Sequence, residues 1–193
     1  MTLIVVDGPR GVGKTTMTTQ LVEELKGSID IELFKSQRPV DPITQMHQAI
    51  NMFSENPKKV FVCDRFSLTE WVMSTALNRV EPRRLRRTIS IIEERLFDLN
   101  THYFVMMAPI DVLDERLRER EAGRGWDVPK DVVWPLWTAA VGLSKVAEMV
   151  MNEDAFAQHV NLMELKHRAL FGYQSSSWEQ TTHLKPAISI AST

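Results

Sequence analysis

Gly8-Pro9-Arg10-Gly11-Val12-Gly13-Lys14-Thr15 satisfies G-x-x-x-x-G-K-[ST] at every fixed position, and no other stretch restricts the fold as strongly. The motif has physical meaning only where a strand delivers the chain to the loop and a helix starts directly after it. Both flanks are present: an apolar run, Leu3 to Val6, precedes it, and a helix-like segment, Thr16 to Lys26, follows. Small residues let successive backbone N–H groups converge on an anion, and a helix N-terminus adds partial positive charge. The loop Gly8, Arg10, Gly11, Val12, Gly13, Lys14, Thr15 and Thr16 is therefore expected to cradle a nucleoside triphosphate. Lys14 would reach the β- and γ-phosphates, and the Thr15 hydroxyl would ligate Mg²⁺.

Beyond the loop, apolar runs alternate with helix-period segments, which predicts a parallel sheet covered by helices on both faces. Leu3–Val6, Ile29–Phe34, Val60–Cys63, Tyr103–Met107 and Gln158–Leu162 read as about five strands. Such continuous apolar runs suit strands buried on both faces. Leu68, Trp71, Val72, Thr75 and Ala76 repeat at helical spacing, as do Leu85, Ile89, Ile92, Leu96 and Leu99 after Pro82. A third helix is expected over Asp131–Met151, its tryptophans serving as core or dimer contacts. From Gly172 onward periodicity is lost, so the expected organisation is one domain, residues 1–171, and a tail, residues 172–193. The fold class is thus α/β, a three-layer P-loop arrangement.

Composition narrows the class. With 44% hydrophobic and 25% charged residues in 193, the chain reads as an ordinary globular domain with a real core. A formal net charge of −2 argues against a general nucleic-acid coat. A lone cysteine, Cys63, rules out an internal disulfide and fits a reducing, cytoplasmic setting. The N-terminal apolar run is too short for a signal peptide, and no segment approaches a membrane span. The five histidines show no ligand spacing, and none is assigned to a metal.

Three further stretches carry chemistry. Val60-Phe61-Val62-Cys63-Asp64-Arg65 ends an apolar strand in a carboxylate, at the sheet edge where open α/β sheets bind ligands. Asp64 would hold Mg²⁺ or orient the attacking group, and Arg65 would clamp a second anion. Asp114 to Glu121 is a charged helix with alternating signs that runs into Ala122-Gly123-Arg124-Gly125-Trp126. A lid over residues 116–130 would offer Arg116, Arg120 or Arg124 to neutralise charge in the transition state. Phe34-Lys35-Ser36-Gln37-Arg38-Pro39 follows strand two, with Lys35 and Arg38 where a second substrate would enter.

The order G-x-x-x-x-G-K-T-T, R-P after strand two, D-R-F-S-L-T at strand three, then E-R-L-R-E-R before a short lid resembles the thymidylate kinase branch of the nucleotide kinases. The resemblance spans roughly residues 1–165. It implies ATP as phosphoryl donor, Mg²⁺, a homodimer, and a deoxynucleoside monophosphate as small-molecule acceptor. It further implies that Asp64 and Arg65 meet the acceptor's phosphate and the metal, with Arg38 helping to hold the acceptor. The chain departs from the family at Arg10, where thymidylate kinases usually carry an acidic residue; arginine there favours a negative group. Nor does the segment from Val40 to Lys59 show the family's base-stacking arginine, for which Phe53 and His47 are the nearest substitutes.

The deoxynucleoside kinases are similar too, with E-P-V where this chain has Arg38-Pro39-Val40. A nucleoside hydroxyl needs a base to take its proton, whereas a monophosphate needs cations, and Arg38 suits the second. An acceptor within DNA is a further alternative. Arg79, Arg83, Arg84, Arg86 and Arg87 gather near a helix start, where positive charge opposes the dipole and asks for a compensating anion. A module that binds or hydrolyses nucleotide to switch a partner is the least favoured reading.

Overall fold

The computed structural model describes residues 1–35, 42–120 and 128–179. Five strands form one parallel sheet in the order β2-β3-β1-β4-β5, with β1 (Thr2–Asp7) at its centre. β1 pairs in register with β3 (Val60–Asp64) and β4 (Asn100–Met107), β3 also with β2 (Ile31–Lys35), and β4 with β5 (Ala147–Met151). All six β1 residues are buried, as a strand covered on both faces requires.

Period-two alternation sorts the core into two layers. Leu3, Val5, Phe61, Cys63, Tyr103 and Val105 pack on one side. There they meet α2 (Pro42–Glu55), α3 (Ser67–Ala76), α4 (Pro82–Asp98) and α6 (Lys130–Leu143), through Ile50, Val72, Leu85 and Trp137. Ile4, Val6, Val60, Val62, Phe104 and Met106 face the other side. There α1 (Lys14–Leu25), α5 (Ile110–Arg120) and α7 (Ala155–Glu179) contribute Met17, Leu113 and Leu165. The doubly covered parallel sheet expected from the alternation of runs is what forms, and the carboxyl ends of β1, β2 and β3 converge at Asp7, Lys35 and Asp64.

The C-terminal third differs from its sequence reading. The helix expected over Asp131–Met151 stops at Leu143, and its last residues are β5 instead. Ser144 breaks the helix: its backbone is extended, and its Oγ accepts the N–H groups of Val146 (3.3 Å) and Ala147 (3.1 Å). A hydroxyl that captures the following amides competes with helical hydrogen bonding. Gln158–Leu162, read as the fifth strand, lies inside α7, whose Leu162, Leu165 and Ala169 are buried at three- and four-residue spacing. That helix also runs through Gly172 to Glu179, where the sequence suggested a tail. Gly172 is seated so closely on Thr2 and Asn100 that a side chain would collide with both.

Candidate active site

The site is built where β1 gives way to α1. Gly8 turns with φ 137°, and a side chain there would strike the Met106 carbonyl, so only glycine lets the loop lie against β4. α1 has no side-chain cap at Gly13 and no acidic residue in its first turn, leaving its N-terminal amides and dipole to an anion. Lys14 is buried, and its Nζ donates to the carbonyls of Gly8 (2.8 Å) and Pro9 (2.7 Å). Burial lowers its pKa to about 8, with nearby Arg65 adding to the effect and Asp7 and Asp64 opposing it. Thr15 and Thr16 stand exposed in the first turn.

Asp64 ends β3, opposite Val6 of β1 and Lys35 of β2 in register. Its Oδ2 accepts the Thr15 hydroxyl at 2.6 Å, while its Oδ1 is buried without a hydrogen-bond partner among the described residues. An orphaned carboxylate oxygen beside a hydroxyl fits a hard cation. Among the described residues no three Asp, Glu, His or Cys side chains gather around one point, so Thr15 and Asp64 are the protein groups that would hold such a cation.

Arg65 follows with φ 76°, a left-handed conformation that costs a non-glycine residue about 1–2 kcal/mol. The strained turn is fixed by its N–H donating to the Val6 carbonyl at 3.1 Å. Arg65, Arg10, Lys14 and Thr15 line one cavity of about 160 Å³, closed on one side by Leu117. Residues separated in the chain by some fifty positions thus share a space.

The remaining sequence candidates are dispersed. Lys35 is exposed at the end of β2. On α5, Arg116 donates to the carbonyls of Asn152 and Glu153, both at 2.9 Å, and so clamps the β5–α7 connection. Arg120 is the last residue of α5, while Arg38 and Arg124 lie outside the described residues. Phe53 is fully buried among Phe34, Phe61 and Phe66 and is unavailable for base stacking; His47 is half-buried on α2. At the arginine-rich start of α4 the Glu81 carboxylate caps the helix, accepting the backbone N–H groups of Arg83 (3.0 Å) and Arg84 (2.6 Å), and so places a negative charge at the positive end of the dipole.

Two residues at the site escaped the sequence reading. Asp7 is fully buried, and its carboxylate accepts Phe66 N–H (3.2 Å), Thr69 N–H (3.2 Å), the Thr69 hydroxyl and the Tyr103 hydroxyl (2.5 Å). It thereby ties the β1 terminus to the start of α3. The signal was present, an acidic residue closing an apolar strand just before the loop. Asn152 is equally buried; its Nδ2 donates to Val12 O (2.7 Å) and its N–H to Met107 O (2.7 Å). Nothing near it in sequence marks it as a latch on the loop.

No protein-family model matches the sequence, and neither does any curated protein. Solved structures do match in shape. YorR from Bacillus subtilis, solved in complex with phosphorylated GDP, aligns with a TM-score of 0.60 at 20% identity over 86% of this chain and 97% of its own. Polyphosphate kinase 2 from Arthrobacter aurescens TC1 gives 0.60 at 16% identity, covering 90% and 69%. Thymidylate kinase from Ehrlichia chaffeensis gives 0.51 at 14%, covering 85% and 98%. The fold is that of the P-loop kinases. Thymidylate kinases share it, as the resemblance in sequence implied. Among the described residues of this P-loop kinase fold, no helix is long and apolar enough to cross a membrane.

Proposed function

We propose that the chain is a phosphotransferase that moves the γ-phosphoryl group of ATP to a nucleoside monophosphate. One observation carries the reading: cations from the phosphate loop and from the β3–α3 turn line the same cavity, as transfer between two anions requires. Lys14, the loop amides and the α1 N-terminus would hold the donor. Thr15 and Asp64 are the protein groups that would hold Mg²⁺, which would supply positive charge to the phosphates. Arg65 would meet the acceptor phosphate, and Arg10 adds positive charge to the same space. Arg38 would keep the acceptor role the resemblance implies, and Lys35 and a lid arginine the roles read from their positions in the sequence.

A guanine nucleotide in YorR and the activity named for thymidylate kinase both support a nucleotide acceptor in a fold of this shape. The deciding experiment incubates the protein with MgATP and each nucleoside monophosphate, then resolves products by ion exchange. A new diphosphate with matching loss of ATP is expected. Nucleosides consumed while all monophosphates stay untouched would move the chain to the nucleoside kinases. ATP hydrolysis that no acceptor enhances would favour a switch module.

A further inference from the structure

The Val12 carbonyl, inside the phosphate loop, is captured from 140 residues further along the chain. Asn152, buried where β5 passes into α7, donates its Nδ2 to that oxygen at 2.7 Å. The Asn152 amide is itself held in orientation. Its Oδ1 accepts Asn161 Nδ2 from α7 (3.3 Å), and the same Nδ2 donates to the Met151 carbonyl (2.7 Å). With the oxygen engaged on that side, the Nδ2 is the end left to face Val12. The backbone of Asn152 is pinned as well, its N–H donating to Met107 O and its carbonyl accepting Arg116 of α5.

Peptide geometry carries that hold across to the cavity. The Val12–Gly13 bond is trans, so its carbonyl and the Gly13 N–H point in opposite directions. Asn152 stands outside the cavity that Gly13 lines with Lys14 and Thr15, and Val12 O is turned toward Asn152. Gly13 N–H has no hydrogen-bond partner among the described residues. Positive φ at Gly11 (83°) and Gly13 (98°), on either side of Val12, lets the peptide take this orientation. A side chain on Gly13 would also crowd Asn152 Nδ2, at 3.1 Å.

Resting on the phosphotransferase reading, we infer that Asn152 is a positioning residue for the donor: by fixing the Val12–Gly13 peptide it aims Gly13 N–H at the donor's phosphate. An N–H set in advance needs no reorganisation when the anion arrives. Without Asn152, the two glycines that permit this orientation permit others, and the aim is lost. The effect belongs to the donor half. The turn at Arg65 is tied to Val6 O and has no bond to Asn152, so the acceptor half keeps its shape.

Magnetic resonance can watch Gly13 directly. Labelling glycine nitrogen and valine carbonyl carbon together selects glycines that follow a valine, and the sequence has two, Gly13 and Gly142. Gly142 lies in α6 and serves as the control. Titration of the unaltered protein with ADP is expected to move the Gly13 amide proton downfield, as an N–H donating to a phosphate oxygen does, and to leave Gly142 in place. Asn152→Leu, similar in size but without a donor, should abolish most of that shift. It should also weaken ADP binding at least about tenfold, the worth of one hydrogen bond to a charged group, with nucleoside monophosphate affinity unchanged. Asn161→Ala, which leaves Asn152 in place but free to flip, should weaken ADP binding about threefold. A Gly13 amide that stays put in the unaltered protein, or moves as far in a folded Asn152→Leu, overturns the assignment. So does an equal loss of ADP and monophosphate affinity, which would mark Asn152 as a fold contact alone. The unaltered protein's titration decides even if the variant does not fold. No heat of ADP binding at all removes the phosphotransferase reading and this inference with it, a different result from binding without a shift.

Discussion

The two halves of the site are made differently. On the side we propose for the donor, eight contiguous residues carry the loop, and several of its groups are already engaged, while the α1 N-terminal amides are left to an anion. Lys14 is bonded to two carbonyls, Thr15 to Asp64, and Val12 is latched by Asn152. On the side we propose for the acceptor, parts from β2 and the β3–α3 turn meet only in the fold, and Arg65 sits in a left-handed backbone. A preorganised cradle would suit the polyphosphate of the proposed donor, whereas a strained turn would leave affinity to be supplied by the right acceptor. Asp7 joins the halves: it ends the strand that feeds the loop, yet its carboxylate bonds the start of α3 and Tyr103.

Replacing Lys14 should separate function from stability most widely. Lys14→Met is expected to lower kcat/KM by about 10³-fold, roughly 4 kcal/mol of transition-state stabilisation. Its melting temperature should hold or rise, because burial disfavours the native ammonium. Steady-state kinetics with calorimetric melting would check both, and a variant that melts early would show that the lysine supports the loop rather than serving ligand alone. Asp7→Asn should behave in the opposite way. The amide cannot accept all four hydrogen bonds, so about 3 kcal/mol of stability should go, with the melting point falling about 6–12 °C. Acceptor KM should rise far more than the ATP dissociation constant. Equal losses in both would mean that Asp7 serves the whole sheet edge and not the acceptor side.

A smaller effect is expected at Arg116. Its two bonds to the Asn152 and Glu153 carbonyls steady the connection whose Asn152 holds Val12. Arg116→Ala should weaken ATP binding about fivefold, near 1 kcal/mol, and leave acceptor KM unchanged. A loss confined to kcat would instead point to a transition-state role for this arginine.

The same contrast explains how much could be read before folding. The phosphate loop is local chemistry, with fixed spacing between one strand and one helix, so Gly8 to Thr15 and the sheet they imply were visible in the sequence. Asp64 was visible for the same reason, as a carboxylate ending an apolar run. No spacing within Pro42–Glu55 reveals that α2 packs Phe53 against Phe34, Phe61 and Phe66; Phe53 therefore looked available when it is core. β5 was lost because Ala147-Glu148-Met149-Val150-Met151 continues a helical stripe, and the break rests on one Ser144 hydroxyl. Asn152 acts across 140 residues of chain, beyond any local pattern.

The last expected difference between the halves is in their response to pH. Lys14 in the free protein has a pKa of about 8, held down chiefly by burial. A bound polyphosphate brings negative charge to the ammonium and raises that value, so the complex keeps a proton that the free protein has given up. Below about pH 8 both states are protonated and Lys14 adds no pH dependence. Above it, binding takes up a proton, and donor affinity should fall by up to about tenfold per pH unit until the pKa of the bound state is passed. Acceptor affinity should stay level over the same interval. Calorimetry of ADP binding at about pH 7 and pH 9, in buffers of different ionisation enthalpy, counts the protons directly. Uptake near one proton at the higher pH, abolished by Lys14→Met, is the expected outcome. Equal pH sensitivity for donor and acceptor would show that the Lys14 ammonium does not serve the donor alone.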